Sequence, residues 1–159
     1  MNRLIQGAIA GAAGTMALDV TSYLDIVVRG RSTSNIPAEL IRCLAELANV
    51  PELSVPDDRA DDKTKNRRGA LGALSGYTVG IGIGMMYAVV SPLFSRAPLV
   101  CRAALVGAVA MAAADVPLTA LKLTDPREWG TIGWLSDIFP HFAYGLITAA
   151  VIEAFEQEA

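Results

Sequence analysis

Residues 69–90 read GALGALSGYTVGIGIGMMYAVV, an uninterrupted run without a charged side chain. At 1.5 Å per residue it reaches about 33 Å, enough to cross the roughly 30 Å hydrocarbon layer of a bilayer as a helix. Glycine also recurs at every fourth position, Gly72, Gly76, Gly80 and Gly84, continued by Ala88. On a helix that spacing lines one face with small residues, and another backbone can approach it closely.

The rest of the chain has the same character. It has 159 residues, 53% of them hydrophobic and only 18% charged, with a mean hydropathy of +0.42. Charge near a quarter of residues is usual for a soluble domain. The charges are dense between Arg31 and Arg68 and absent from 4–18, 69–95 and 103–114. Four spans follow, at about 4–28, 69–90, 99–121 and 132–155. The expected fold is all-α, a single polytopic domain: four transmembrane helices in a bundle, with a short amphipathic helix in the first loop. That helix is expected over 36–49, where Leu40, Ile41, Leu44 and Leu47 share a face, lying on the membrane or against the bundle. The proline-punctuated, charged remainder of the 29–68 loop, PELSVPDDRADDKTKNRRG, reads as a mobile segment.

Several classes are excluded or disfavoured. Basic residues are neither in large excess nor interleaved with aromatics, so nucleic acid is not an expected partner; the lipid bilayer is. Cys43 and Cys101 show no metal or disulfide spacing and read as packing residues. Arg3 and the apolar run behind it resemble a signal peptide, but Asp19 and the later spans favour a retained first helix. With four spans, Arg3, Arg96 and Arg102 fall on one side and ten basic residues on the other. This places the 29–68 loop in the cytoplasm.

The small-residue stripe of the second span is answered in the first by Gly7, Gly11 and Thr15. One reading is an interface between copies of the chain. The other, preferred because both faces occur in one chain, is packing of the first helix on the second.

Ionisable groups inside the spans carry the functional question. Asp19 lies in the first, Asp115 in the third, and Asp137 with His141 in the fourth. A carboxylate at the bilayer centre costs at least about 2.5 kcal/mol, so such groups face the bundle interior and mark function. Counting from the helix ends puts the three acids in one layer beneath the long-loop side, roughly 22–24 Å along the first and third helices. Asp137, His141, Tyr144 and Thr148 follow helical spacing. Ser75 and Thr78 enter at similar depth, and Pro117 and Pro140 free backbone carbonyls. The candidate polar cluster is therefore Asp19, Asp115, Asp137, His141 and Tyr144. It either holds and relays protons, with histidine as the natural switch, or is purely structural. A divalent metal is disfavoured, because the chain has one histidine and no H-x-x-x-H or E-x-x-H pattern. No G-x-S-x-G motif or Cys–His pairing supports nucleophilic catalysis. The reading is non-enzymatic, with no cofactor. Arg3–Val20 and Arg102–Val116 also echo each other, both running from arginine through small residues to Asp-Val.

Four short motifs carry a resemblance: GAIAG at 7–11, YAVVSPLF at 87–94, LKLTDP at 121–126 and SDIFPHFAYG at 136–145. Together they resemble the YagU-like family of small bacterial inner-membrane proteins. The resemblance implies an all-helical inner-membrane protein linked to acid tolerance, and it highlights Asp137 and His141. Asp19 and Asp115 stand outside the family pattern. Two expectations result. In one, the Asp/His cluster binds or conducts protons or a small cation. In the other, the chain is an accessory or assembly subunit that docks its glycine face and charged loop on a larger membrane complex.

Overall fold

The computed structural model describes residues 2–157. It is helical throughout: α1 (Arg3–Arg29), α2 (Ile36–Leu47), α3 (Pro51–Ser54), α4 (Asp62–Val90), α5 (Leu99–Ala120) and α6 (Gly130–Gln157), with 3-10 turns at Ser91–Phe94 and Pro126–Glu128. Helices α1, α4 with the turn after it, α5 and α6 are long and apolar enough to cross a membrane. Their outer faces, including Met16, Val27, Leu74, Met86, Val109 and Phe139, are exposed and apolar, as lipid contact requires. The fold is an all-α polytopic membrane bundle.

Local signals set the helix ends. The Asn2 side chain accepts from the Leu4 N–H at 2.8 Å, and Gly30 closes α1 in the left-handed region at φ 64°, its N–H donating to the Ile26 carbonyl at 2.8 Å. Such a cap satisfies backbone groups that the helix leaves open and favours glycine. Asp61 caps α4 by accepting from the Thr64 N–H at 2.8 Å.

The helices run alternately up and down. Arg3 at the start of α1 donates to the Ala88 carbonyl near the end of α4 at 3.0 Å. Arg102 at the start of α5 meets Glu153 near the end of α6. Two antiparallel pairs, α1–α4 and α5–α6, are joined by the packing of α1 on α6, while α4 touches α5 only lightly.

Glycine sets each crossing. A Cβ on Gly84 would lie 2.5 Å from the Gly11 Cα and 2.5 Å from the Gly7 carbonyl oxygen; one on Gly11 would lie 2.6 Å from the Gly80 oxygen. The first and second spans therefore meet backbone to backbone within one chain. In α5–α6, a Cβ on Gly107 would lie 2.6 Å from the His141 oxygen, and one on Gly145 would overlap the Ala103 carbonyl. The stripe on α4 divides its work. Gly80 and Gly84 face α1, and Gly72 faces Pro37 of α2, whereas Gly76 has nothing within 4 Å and is exposed.

The charged loop differs from the mobile segment expected of it. Helix α4 begins two turns earlier than residue 69, and Arg68 on it is 1% exposed. Its guanidinium donates to the Leu53 carbonyl at 2.9 Å, to the Val55 carbonyl, and to Asp57 Oδ1 at 2.6 Å. One arginine thus ties 53–57 to the helix, because its donor fork satisfies several acceptors at once. Helix α2 packs on α4 and buries Ala45, leaving Leu44 and Leu47 exposed. Cys43 is half-buried and Cys101 exposed, so Cys101 is not a packing residue.

Substitution tests the crossings directly. Gly84→Ala is expected to lower stability by about 1–3 kcal/mol through forced backbone displacement. Gly76→Ala should change it by less than about 0.5 kcal/mol. Reversible unfolding in mixed micelles measures both.

Candidate functional site

Three of the five cluster residues come together. Asp115 on α5 and Asp137 and His141 on α6 line one open groove of about 500 Å³ at the end of the bundle where α1 finishes and α6 begins. The α5–α6 crossing at Gly107 and Gly145 holds the two backbones close enough for this. His141 Nδ1 lies 2.8 Å from the Asp137 carbonyl oxygen and 3.3 Å from Asp137 Oδ1. A carbonyl only accepts, so Nδ1 carries a proton and Nε2 is the nitrogen left to gain or lose one. Asp115 reaches the same groove from α5. Asp137 Oδ2 is buried and has no hydrogen-bond partner. Two carboxyls and an imidazole thus line one groove.

The lining of the groove also carries basic residues. Arg29 and Arg31, at and just beyond the end of α1, both line it. They share one carboxylate, Asp25: Arg29 bonds it directly, and Arg31 Nε donates to it at 2.7 Å. Arg29 also donates to Ser136 Oγ at 2.5 Å, fastening the end of α1 to α6. Thr124 and Trp129 complete the rim, with Trp129 Nε1 donating to Thr124 Oγ1 at 2.7 Å.

Asp19 and Tyr144 are placed elsewhere. Asp19 accepts from the Tyr77 hydroxyl at 2.8 Å on the α1–α4 face, in an exposed setting. Tyr144, 1% exposed, donates to the Gly80 carbonyl at 2.6 Å across the bundle centre. Thr148 reaches the Ala10 carbonyl at 3.4 Å. The i, i+3, i+4 stripe of α6 is wide enough to split: Asp137 and His141 turn toward α5, Tyr144 and Thr148 toward α1 and α4. Ser75 and Thr78 bond carbonyls of their own helix and add nothing to the groove.

Sequence reasoning missed two features. Asp25 lies inside the first helix, and only its arginine partners at 29 and 31 signalled it. At the far end of the bundle, Arg102, 5% exposed, donates to Glu153 at 2.6 Å. Beside it Glu156 accepts from Ser91 at 2.6 Å and lies 3.7 Å from Arg3. Opposite charges at matching depth on antiparallel spans were the available signal. Among the described residues, no group of three or more His, Cys, Asp or Glu side chains is arranged to hold a metal ion.

Compared with protein-family models, curated proteins and solved structures, the chain matches none.

The Arg102–Glu153 pair offers a control for the site. Glu153→Gln removes the charge facing a buried guanidinium and is expected to cost about 1.5–3 kcal/mol of stability. Adding Arg102→Met should recover most of the loss, which a double-mutant cycle reads directly.

Proposed function

We propose that the chain is a non-enzymatic protein of the bacterial inner membrane whose Asp115–Asp137–His141 group binds and relays protons, or holds a small cation. The observation that carries this reading is Asp137 Oδ2, a buried carboxylate oxygen without a partner, beside a second carboxyl and an imidazole at a groove. Leaving such an atom unmatched is expensive, and a proton or cation supplies the match. His141 Nε2 is the exchanging atom, since Nδ1 is held by the Asp137 carbonyl.

The resemblance to the YagU-like family supports a role in acid tolerance. The excess of basic residues at the α1–α6 groove end supports a cytoplasmic loop, and with it a groove open to the cytoplasm.

Flux in proteoliposomes across pH 5–8 tests the reading. Flux should depend on pH across that range and drop by roughly tenfold in His141→Ala or Asp137→Asn. Asp19→Asn, altered at the separate Tyr77 contact, should leave it unchanged. Absence of flux from monodisperse wild-type protein overturns conduction.

A second reading, an accessory subunit of a larger membrane complex or of a homo-oligomer, is favoured by the open space over Gly69 and Gly76 on the exposed side of α4. Loss of a co-purifying partner in Gly76→Leu, with flux absent throughout, would decide for it.

A further inference from the structure

The groove at the acid cluster does not end there. A second cleft of about 430 Å³ opens between α1 and α6, and the two share Arg29, Ile132 and Ser136. Its walls are mostly apolar, with Leu135, Phe139 and Pro140 beside Ile132. Ile132, Leu135 and Phe139 are exposed on the outer face, so the cleft is open to whatever surrounds the bundle, which for a transmembrane helix is lipid. Asp25, Arg29 and Ser136 stand at its polar end.

Charge of both signs lines the joined space. Arg29 and Arg31 share the single carboxylate of Asp25, leaving one positive charge in excess there. Asp115 and Asp137 line the same groove. Among the described residues, neither arginine forms an ion pair with either acid. An arginine fork matches phosphate oxygens. Asp115 and Asp137 bring carboxyl acceptors to the lining, and a primary ammonium offers three donors. Basic pockets at helix ends are established hosts for lipid headgroups, and clefts of this size suit organic ligands rather than bare ions.

We infer that this composite groove binds a phospholipid with a zwitterionic, primary-amine headgroup. The phosphate sits on Arg29 and Arg31, the ammonium on Asp137 and Asp115, and an acyl chain lies in the α1–α6 cleft against Leu135 and Phe139. The inference rests on the Asp137 cluster being an open, ligand-accepting group, as in the proton reading, and adds the ligand class. Trp129 and Thr124 line the groove and not the α1–α6 cleft.

Native mass spectrometry of the full-length protein in detergent, with added phosphatidylethanolamine, phosphatidylcholine or phosphatidylglycerol, tests it. Phosphatidylethanolamine should be retained about tenfold better than phosphatidylcholine, whose trimethylated amine donates no hydrogen bond, and better than phosphatidylglycerol, which lacks the cation. Asp137→Asn and the Arg29→Ala/Arg31→Ala double variant should each erase most of that preference. Leu135→Trp, which fills the cleft and leaves the charges in place, should weaken retention of all three lipids. Equal retention of the three, or selectivity unchanged in the charge variants, overturns the inference. Soluble phosphoethanolamine competing as well as the lipid overturns the acyl-chain part. Flux measured on the same preparations separates the two readings: selective retention without flux leaves this inference standing and sinks conduction, while flux with unselective retention does the reverse.

Discussion

Everything in this bundle depends on backbones touching where glycine removes the side chain between them. Lipid tails are as apolar as leucine, so burying leucine between helices gains little there, and close dispersion contact has to hold the helices together. Gly11 against Gly84 sets how α1 lies on α4. That approach brings Gly80 within reach of Tyr144, whose hydroxyl then joins α6 to α4 through the centre. Gly107 against the His141 carbonyl does the same for α5 and α6, and so decides that Asp115 and Asp137 line one groove.

The two ends of the bundle solve the problem of charge in opposite ways. At the end formed by the start of α1 and the close of α6, Arg3, Ser91 and Glu156 form one knot and Arg102 with Glu153 a second, each cation matched by an acid. At the other end the matching is incomplete. Two arginines share Asp25, and two acids line the same groove as those arginines. A buried polar group without a partner is costly wherever it occurs. Unpartnered buried polar atoms occur at both ends among the described residues, Asp137 Oδ2 at one and Tyr87 Oη and Arg102 Nε at the other, so the ends differ in how their charges pair and not in whether every polar atom is matched.

One buried side chain, Arg68, fastens the charged part of the long loop to the bundle. Arg68 projects from an early turn of α4 and gathers two carbonyls and Asp57, so a segment rich in proline and aspartate is held against the helix. Pro37 on Gly72 secures α2 in a similar economy of space. Arg68 stands just ahead of the apolar run and Gly72 in its first turn, so both contacts lie at the loop end of α4.

The sequence by itself determined the number of spans, their approximate ends, the alternation that follows from it and the meeting of α1 with α4. These rest on hydropathy over about 20 residues and on glycine recurrence, both one-dimensional properties. It also brought Asp19, Asp115 and Asp137 to one level, with His141 about a turn deeper, because depth follows from counting residues along a helix. What only the tertiary structure decided was azimuth. Asp19 and Tyr144 share that level or stripe, yet rotation of α1 and α6 about their axes turns them to Tyr77 and to Gly80. The partners Asp25, Arg29 and Arg31, the buried Arg68 and the Arg102–Glu153 pair stayed illegible for the same reason. A charged residue reads alike in sequence whether it meets water, lipid or an opposite charge, and which of these it meets is settled by how neighbouring helices are rotated and how closely glycine lets them approach.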